Sequence, residues 1–80
     1  MNDIKYYKGI CDNNAMVDST AAKYAYIMVN DKYIVRCIGF NKDMKIVYDD
    51  DFLNYEEIYT PVKGWKDEEI TEEEFFIHCI

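Results

Sequence analysis

Two neighbouring runs, Lys23-Tyr-Ala-Tyr-Ile-Met-Val29 and Lys32-Tyr-Ile-Val-Arg-Cys-Ile38, decide the fold of this 80-residue chain. Both are rich in β-branched and aromatic residues, which favour strands. Only Asn30-Asp31 separates them, and both residues tolerate positive φ, so the pattern predicts a tight β-hairpin. A strand that starts at Lys23 competes with a helical spacing of apolar residues between Val17 and Met28, and we favour the strand because the hairpin follows it.

The hairpin predicts which side chains share a face, because side chains alternate along a strand. With Asn30-Asp31 as the loop, the first face holds Tyr24, Tyr26, Met28, Tyr33, Val35 and Cys37. The second face holds Ala25, Ile27, Val29, Ile34 and Arg36.

A second turn at Asn41-Lys42-Asp43 leads into Met44–Tyr48 and predicts a third strand. A bare three-stranded sheet is marginally stable, so one of its faces requires a helical cover. We therefore expect a single α+β domain over residues 1–80, a three-stranded antiparallel β-meander packed with one to three short helices. For residues 1–22 a strand or a short helix near Ile4–Tyr7 remains open, followed by a turn at Cys11–Asn14.

The second half of the chain predicts further helices. Asp49–Asp51 ends the third strand, and apolar spacing over Phe52–Tyr59 favours a short helix that stops at Thr60-Pro61. Lys63-Gly64-Trp65 indicates a turn. Thr71 and Glu74 form a capping box, with Ile70 and Phe75 placed for a hydrophobic staple, which predicts a helix from Glu72. A terminal strand over Ile77–Ile80 is the alternative.

Composition limits the location and the chemistry. No stretch has the roughly 20 apolar residues of a membrane span, and the N-terminus lacks the apolar block of a signal peptide. Three cysteines without paired spacing favour reduced thiols, so we expect a cytoplasmic protein.

Motifs for catalysis or for cofactors are weak. Cys11, Cys37, His78 and Cys79 match a Cys₃His zinc set by count but lack its knuckle spacing. His78 and Cys79 are neighbours in sequence, so their side chains diverge and form a poor nucleophile–base pair. The chain has neither a glycine-rich phosphate loop nor a calcium loop. We expect no catalytic residues, no metal and no cofactor, and therefore no enzyme.

Charge is distributed unevenly along the chain. Residues 1–47 hold five acids and seven bases, and residues 48–80 hold eleven acids and two bases, which gives +2 and −9 and the net charge of −7. Such a balance repels nucleic acid and anionic membranes and attracts basic protein surfaces. Many acidic runs only keep a protein soluble. Here the acids alternate with aromatic residues, and the candidate partner-binding residues are Asp49, Asp50, Asp51, Glu56, Asp67, Glu68, Glu69, Glu72 and Glu73.

Gly64-Trp65-Lys66-Asp67-Glu68-Glu69-Ile70-Thr71-Glu72-Glu73-Glu74-Phe75-Phe76 resembles a segment of a known family. That family comprises small, acidic, phage-encoded anti-CRISPR proteins that inhibit Cas9 as DNA mimics, and the central hairpin Val29–Val35 is also similar. The resemblance covers about a third of the chain. It implies a cytoplasmic location in a bacterial host and places Asp67, Glu68, Glu69, Glu72 and Glu73 in the DNA-binding cleft of a nuclease, with Asp49–Asp51 as a second patch.

Two hypotheses follow. In the first, the protein is a non-enzymatic inhibitor that presents an acidic, nucleic-acid-mimicking surface to a basic nucleic-acid-binding protein, such as a CRISPR-Cas effector. In the second, it is a small phage or bacterial regulatory module that docks onto another protein through exposed aromatic residues. The first requires that the carboxylates of the second half form one continuous outward surface.

Overall fold

The computed structural model describes residues 3–11, 20–52 and 56–78, which form one antiparallel sheet and one helix. The strands and the helix are β1 (Ile4–Cys11), β2 (Tyr24–Asn30), β3 (Tyr33–Phe40), β4 (Ile46–Asp51), β5 (Trp65–Ile70) and α1 (Glu72–His78). The order across the sheet is β4-β3-β2-β1-β5, so β4 and β5 are the two edge strands.

The expected α+β class with a three-stranded meander is wrong, because the chain is mostly β with five strands in one sheet and one short helix among the described residues. The meander exists as β2, β3 and β4. The sheet is larger because β1 pairs antiparallel with the other side of β2, and β5 then pairs with β1. Strand β1 resolves the alternative left open for Ile4–Tyr7 in favour of a strand.

The predicted hairpin is confirmed, but its loop lies one residue later than expected. Asn30 pairs with Tyr33, so the loop is Asp31-Lys32, and Asp31 takes a φ of 61°. A β-bulge then shifts the register between Met28 and Val29. Because a bulge adds one residue to one strand, the side chains of that strand beyond it lie on the opposite face from the one that strict alternation predicts.

Because of the bulge, two β3 side chains lie on the face opposite to the predicted one. Cys37 pairs with Ile27 and shares the face of Ala25, whereas Arg36 pairs with Met28 on the opposite face. Both had been assigned to the other side, because strict alternation takes no account of a bulge. Ile34 shares the face of Ala25, Ile27 and Val29, as expected, and pairs with Val29.

The second predicted turn is confirmed and is held by the buried Asn41. Its side-chain oxygen accepts hydrogen bonds from the backbone N–H groups of Asp43 and Lys45, each at 2.9 Å. This Asx-type arrangement lets the chain reverse, with Met44 at a φ of 61°. Strand β4 begins later and ends later than predicted, and Asp49–Asp51 lie within it rather than after it.

The short helix predicted over Phe52–Tyr59 is wrong for the part of it that the structure describes, and residues 53–55 lie outside that part. Ile58 forms a β-bridge with Tyr33, and Tyr59 N–H donates to the Lys32 carbonyl at 2.9 Å. The segment is extended because β3 offers unpaired backbone groups beyond the end of β4. Residues 60–64 then cross one face of the sheet to reach β5, with a turn at Gly64, whose φ is 88°.

The C-terminal helix is confirmed. The Thr71 hydroxyl accepts a hydrogen bond from the Glu74 backbone N–H at 3.1 Å, which is the predicted N-cap. Phe75 is fully buried against Tyr26, Ile38 and Phe40, and Ile70 packs beside them as the staple predicts. Helix α1 therefore covers one face of the sheet.

The opposite face has its own apolar cluster. Its centre is Ala25, Ile27 and Val29 on the central strand β2, and half-buried side chains including Tyr7, Tyr59 and Trp65 pack against it. Tyr7 and Tyr59 stack with ring centroids 4.6 Å apart. We call this the pocket face. The single described helix is far too short and polar to cross a membrane.

Candidate functional site

The predicted partner-binding carboxylates occupy two separate edges of the sheet. Asp49–Asp51 belong to edge strand β4, and Asp67–Glu69 belong to edge strand β5. Four strand spacings separate these edges, which is roughly 19 Å. Glu56 lies on the β4 side, beside the segment that bridges to β3. The structure therefore does not bring the nine residues together into one continuous surface.

The carboxylates on the β4 edge are partly neutralised by Arg36. Its guanidinium donates to both oxygens of Asp49, at 3.2 and 3.0 Å, and approaches Asp51 at 3.8 Å. The hydrogen bonds from Arg36 lower the pKa of Asp49. A bidentate arginine holds a carboxylate in a fixed geometry, so Asp49 is less available to an outside partner.

The remaining acids form a second group at the end of β5 and in the first turn of α1. We call Glu68, Glu69, Glu72 and Glu73 the acidic strip. All four are exposed. Over residues 3–11, 20–52 and 56–78 no hydrogen bond or ion pair engages their carboxylates. Their charges therefore face solvent and form no salt bridge in these ranges, although Lys8 lies opposite Glu68 in the β1–β5 pairing.

Glu74, which follows the strip, is also exposed, and its backbone N–H is the group that Thr71 caps. Acids in the first turn of a helix are stabilised by the positive end of the helix dipole. The local structure thus accounts for some of the negative charge here but does not neutralise it.

Asp67 differs from the neighbouring acids because its carboxylate is engaged by a hydrogen bond on the pocket face, a face that Glu69 also shares. The Tyr59 hydroxyl donates to Asp67 Oδ2 at 2.5 Å, and the carboxylate is only partly exposed. Burial and the Asp67 carboxylate both raise the pKa of Tyr59, so Tyr59 remains a protonated donor in neutral solution. Asp67 belongs to the pocket rather than to the acidic strip.

The pocket face contains an open pocket of about 260 Å³. Aromatic rings of Tyr48, Tyr59 and Trp65 form its walls, and Ala25 and Ile27 contribute to its floor. Exposed Val62, in the crossing segment, forms part of the rim. The pocket is thus largely apolar and has one carboxylate, that of Asp67, among its lining residues.

Two glycines allow the walls to lie close to the sheet. A Cβ at Gly9 would come within 2.6 Å of Asp67 Oδ1 and 3.3 Å of a Trp65 ring carbon. A Cβ at Gly39 would lie 2.5 Å from the Tyr48 Cζ atom. These glycines sit on either side of Ala25 in one cross-strand row. The pocket therefore depends on small residues beneath its walls.

Burial and nearby carboxylates affect the titratable groups that line the pocket. The Cys37 thiol, which lines it, has a raised pKa, chiefly from burial and further from the carboxylates of Asp50 and Asp67. Tyr48 approaches the same sulfur, with its hydroxyl oxygen 3.7 Å from Sγ, and burial raises the pKa of Tyr48 as well. Both groups are therefore neutral at pH 7, while the nearby carboxylates supply net negative charge.

Sequence reasoning missed this pocket. Tyr48, Tyr59 and Trp65 come from three separate segments, and only long-range pairing brings them together. The available signal was the position of Gly9 and Gly39 within otherwise regular strand patterns, because an isolated glycine in a strand often marks close approach of another group.

The cysteine and histidine side chains that match a zinc set by count are far apart in the described part of the fold. Cys11 and Cys37 are free thiols in the described part of the chain. His78 packs its ring 5.0 Å from that of Tyr26 on the helix side of the sheet, and Cys79 lies outside the described residues. No cluster of three or more metal-ligating side chains occurs in the described ranges.

Comparison with known proteins gives no assignment. No protein-family model, curated protein or solved structure matches this chain.

Proposed function

We propose that this protein is a non-enzymatic inhibitor that uses the acidic strip to occupy the nucleic-acid-binding surface of a basic protein. The observation that carries the proposal is that Glu68, Glu69, Glu72 and Glu73 are exposed and form no salt bridge among the described residues. A CRISPR effector such as Cas9 is the target that the resemblance of the Gly64–Phe76 segment suggests.

The position of the strip supports this role. Glu68 and Glu69 are consecutive on β5, and Glu72 and Glu73 are consecutive in the first turn of α1, so four exposed carboxylates lie within six residues at one end of the fold. A groove lined with lysine and arginine accepts such a cluster of negative charges in place of phosphates, and the resulting affinity falls steeply with salt.

Because the two acidic edges are separated, the proposed contact involves fewer of the predicted residues. Asp49 and Asp51 interact with Arg36 at the far edge, and Asp67 interacts with Tyr59. The proposed contact is therefore made by the β5–α1 end alone. Asp43, in the turn before β4, and Glu56 are exposed on that far side and do not line the pocket, which makes them suitable control positions.

The test compares two double charge reversals with equal net charge. Glu69→Lys with Glu73→Lys alters the strip, and Asp43→Lys with Glu56→Lys alters the opposite edge. Each reversal adds two charges, so both variants change the net charge from −7 to about −3. Binding of guide-loaded Cas9 to labelled target DNA is measured by fluorescence anisotropy with increasing amounts of each protein.

Wild type and the opposite-edge variant should both prevent DNA binding, and the strip variant should fail to do so while retaining its circular dichroism spectrum and melting temperature. Inhibition by wild type should weaken as salt rises. Equal inhibition by both variants would refute the strip as the contact. Failure of wild type to inhibit would refute Cas9 as target, and the same assay is then run with basic proteins captured from bacterial lysate at low salt.

A second candidate function is docking through aromatic residues, and the open pocket together with exposed Ile58 and Val62 favours it. Apolar contacts of this kind change little with ionic strength, whereas charge contacts are screened. Partner binding that persists from low to high salt and survives the strip reversal would identify this mode instead.

A further inference from the structure

The pocket combines two features that recognise organic cations. Its walls are electron-rich rings, and a cation within about 6 Å of such a ring centroid is attracted by the ring quadrupole. Its inner edge carries the Asp67 carboxylate, of which Oδ2 accepts the Tyr59 hydroxyl. A cation in the pocket would therefore meet aromatic faces and a negative charge together.

We propose that this pocket receives the side chain of an arginine or lysine from the protein that the acidic strip binds. The proposal rests on the proposed function for the source of the cation. Strip and pocket are adjacent because Glu69 lies two residues after Asp67 on β5 and therefore shares its face, as their β1 partners Tyr7 and Gly9 do.

Size supports a single side chain. A volume of about 260 Å³ lies just under the range of roughly 300–1,000 Å³ that accommodates drug-sized ligands. The apolar floor formed by Ala25 and Ile27 suits the methylene stem of arginine or lysine. The charged head then lies against Asp67, and the stem lies between Tyr48 and Trp65.

Electrostatics of the pocket agree with this occupant. Asp67 is itself part of the pocket lining, and Asp50 pairs across the strands with the lining residue Cys37, so two carboxylates lie at the pocket. Cys37 and Tyr48 stay neutral, so they add no competing negative or positive charge. An anionic or carboxylate-bearing ligand would be repelled.

The experiment uses n-butylguanidinium as a mimic of the arginine side chain and n-butylurea as its neutral isostere. Trp65 is the only tryptophan in the chain and lines the pocket, so its fluorescence reports occupancy. At constant ionic strength, the cation should cause a saturable emission change and bind at least about tenfold more tightly than the urea, as expected for one ion pair in a partly desolvated site.

Two isosteric variants locate the charge that matters. Asp67→Asn should weaken n-butylguanidinium binding about tenfold, and Glu68→Gln, which removes the same charge from the adjacent residue, should change it less than about twofold. Equal affinity for urea and cation, equal effects of the two variants, or no saturable signal would each overturn the proposal. The urea comparison on wild type stands even where Asp67→Asn impairs folding.

The probe titration needs no partner, so it tests cation binding in the pocket independently of the proposed function. The DNA-binding assay then tests whether the partner uses the pocket. Asp67→Asn should weaken inhibition of DNA binding about tenfold, whereas Glu68→Gln should reduce it only slightly. Inhibition unchanged by Asp67→Asn, with the probe still bound, would overturn assignment of the pocket to a partner side chain. Loss of inhibition on strip reversal would in that case still support the proposed function.

Discussion

Gly39→Ala offers a sharp test of the pocket geometry, because its effect on stability should change sign with the residue at position 48. A Cβ at position 39 would lie 2.5 and 2.6 Å from Cζ and Cδ2 of the Tyr48 ring, and closer still to Cε2. Carbon atoms in contact prefer about 3.5–4.0 Å, so the ring has to move by about 1 Å or more. Overpacking of this kind costs about 1–3 kcal/mol.

An opposing effect comes from the unfolded state. Gly39 has no positive φ, so alanine can adopt its backbone conformation. Replacing glycine by alanine at a compatible position stabilises a protein by about 0.4–1 kcal/mol, because the unfolded chain loses freedom. In wild type the cost of overpacking is larger, and we expect net destabilisation of up to about 2.6 kcal/mol.

In the Tyr48→Ala background the ring is absent, and only the favourable effect remains. Gly39→Ala should then stabilise the protein by about 0.4–1 kcal/mol relative to Tyr48→Ala alone. Urea denaturation followed by circular dichroism gives the four free energies of the double-mutant cycle. A melting temperature that rises on Gly39→Ala in wild type, or an effect of the same sign in both backgrounds, would refute the close packing of Tyr48 over β3.

Three further predictions concern the helix face and the β4 edge. Phe75→Ala should lower the free energy of unfolding by about 3–5 kcal/mol, which is a large part of the roughly 4–12 kcal/mol expected for a chain of this size. The variant should therefore melt far below wild type in a thermal scan. Phe76→Ala removes a more exposed ring and should shift the melting temperature much less. Thr71→Ala should lower unfolding free energy by about 1 kcal/mol in urea titrations, and Thr71→Ser, which keeps the capping hydroxyl, should restore most of it. Because Arg36 lowers the pKa of folded Asp49, the ionised carboxylate contributes fully to the free energy of unfolding above the unfolded pKa of about 3.9, and this contribution is lost as pH falls through the lower folded pKa. The free energy of unfolding, measured from pH 5 to pH 2, should therefore fall less in Arg36→Gln than in wild type. Parallel plots of that free energy against pH would contradict the Arg36–Asp49 pairing.

Local signals account for the parts of the fold that the sequence predicts well. The hairpin follows from two β-rich runs and a short polar loop, and α1 follows from a cap and a staple within six residues. Each of these elements specifies itself over a short segment. The one-residue error in the loop has little effect alone, but the bulge beside Val29 moves Cys37 to the pocket face, and alternation cannot reveal a bulge.

Strand β5 shows why the remainder was missed. Trp65-Lys-Asp-Glu-Glu-Ile70 contains four charged residues in succession, which is a poor strand pattern. The segment is a strand because β1 presents an unpaired edge, with Tyr6 opposite Ile70 and Cys11 opposite Trp65. A long-range partner therefore determines its conformation, and the same pairing places Asp67 on the pocket face. The separation of the two acidic edges follows from it as well.

Edge position also gives the acids a structural role that is compatible with binding. Exposed edge strands invite pairing with another chain, and charged side chains prevent it. On β4 the acids protect the edge in this way, and Arg36 forms a salt bridge with Asp49 that partly neutralises their negative charge. On β5 and α1 the acidic strip has four carboxylates that form no salt bridge in the described ranges, and it lies beside an aromatic pocket that itself contains a carboxylate. Edge protection alone explains neither this excess of negative charge nor the pocket, whereas the basic partner that we propose would account for both.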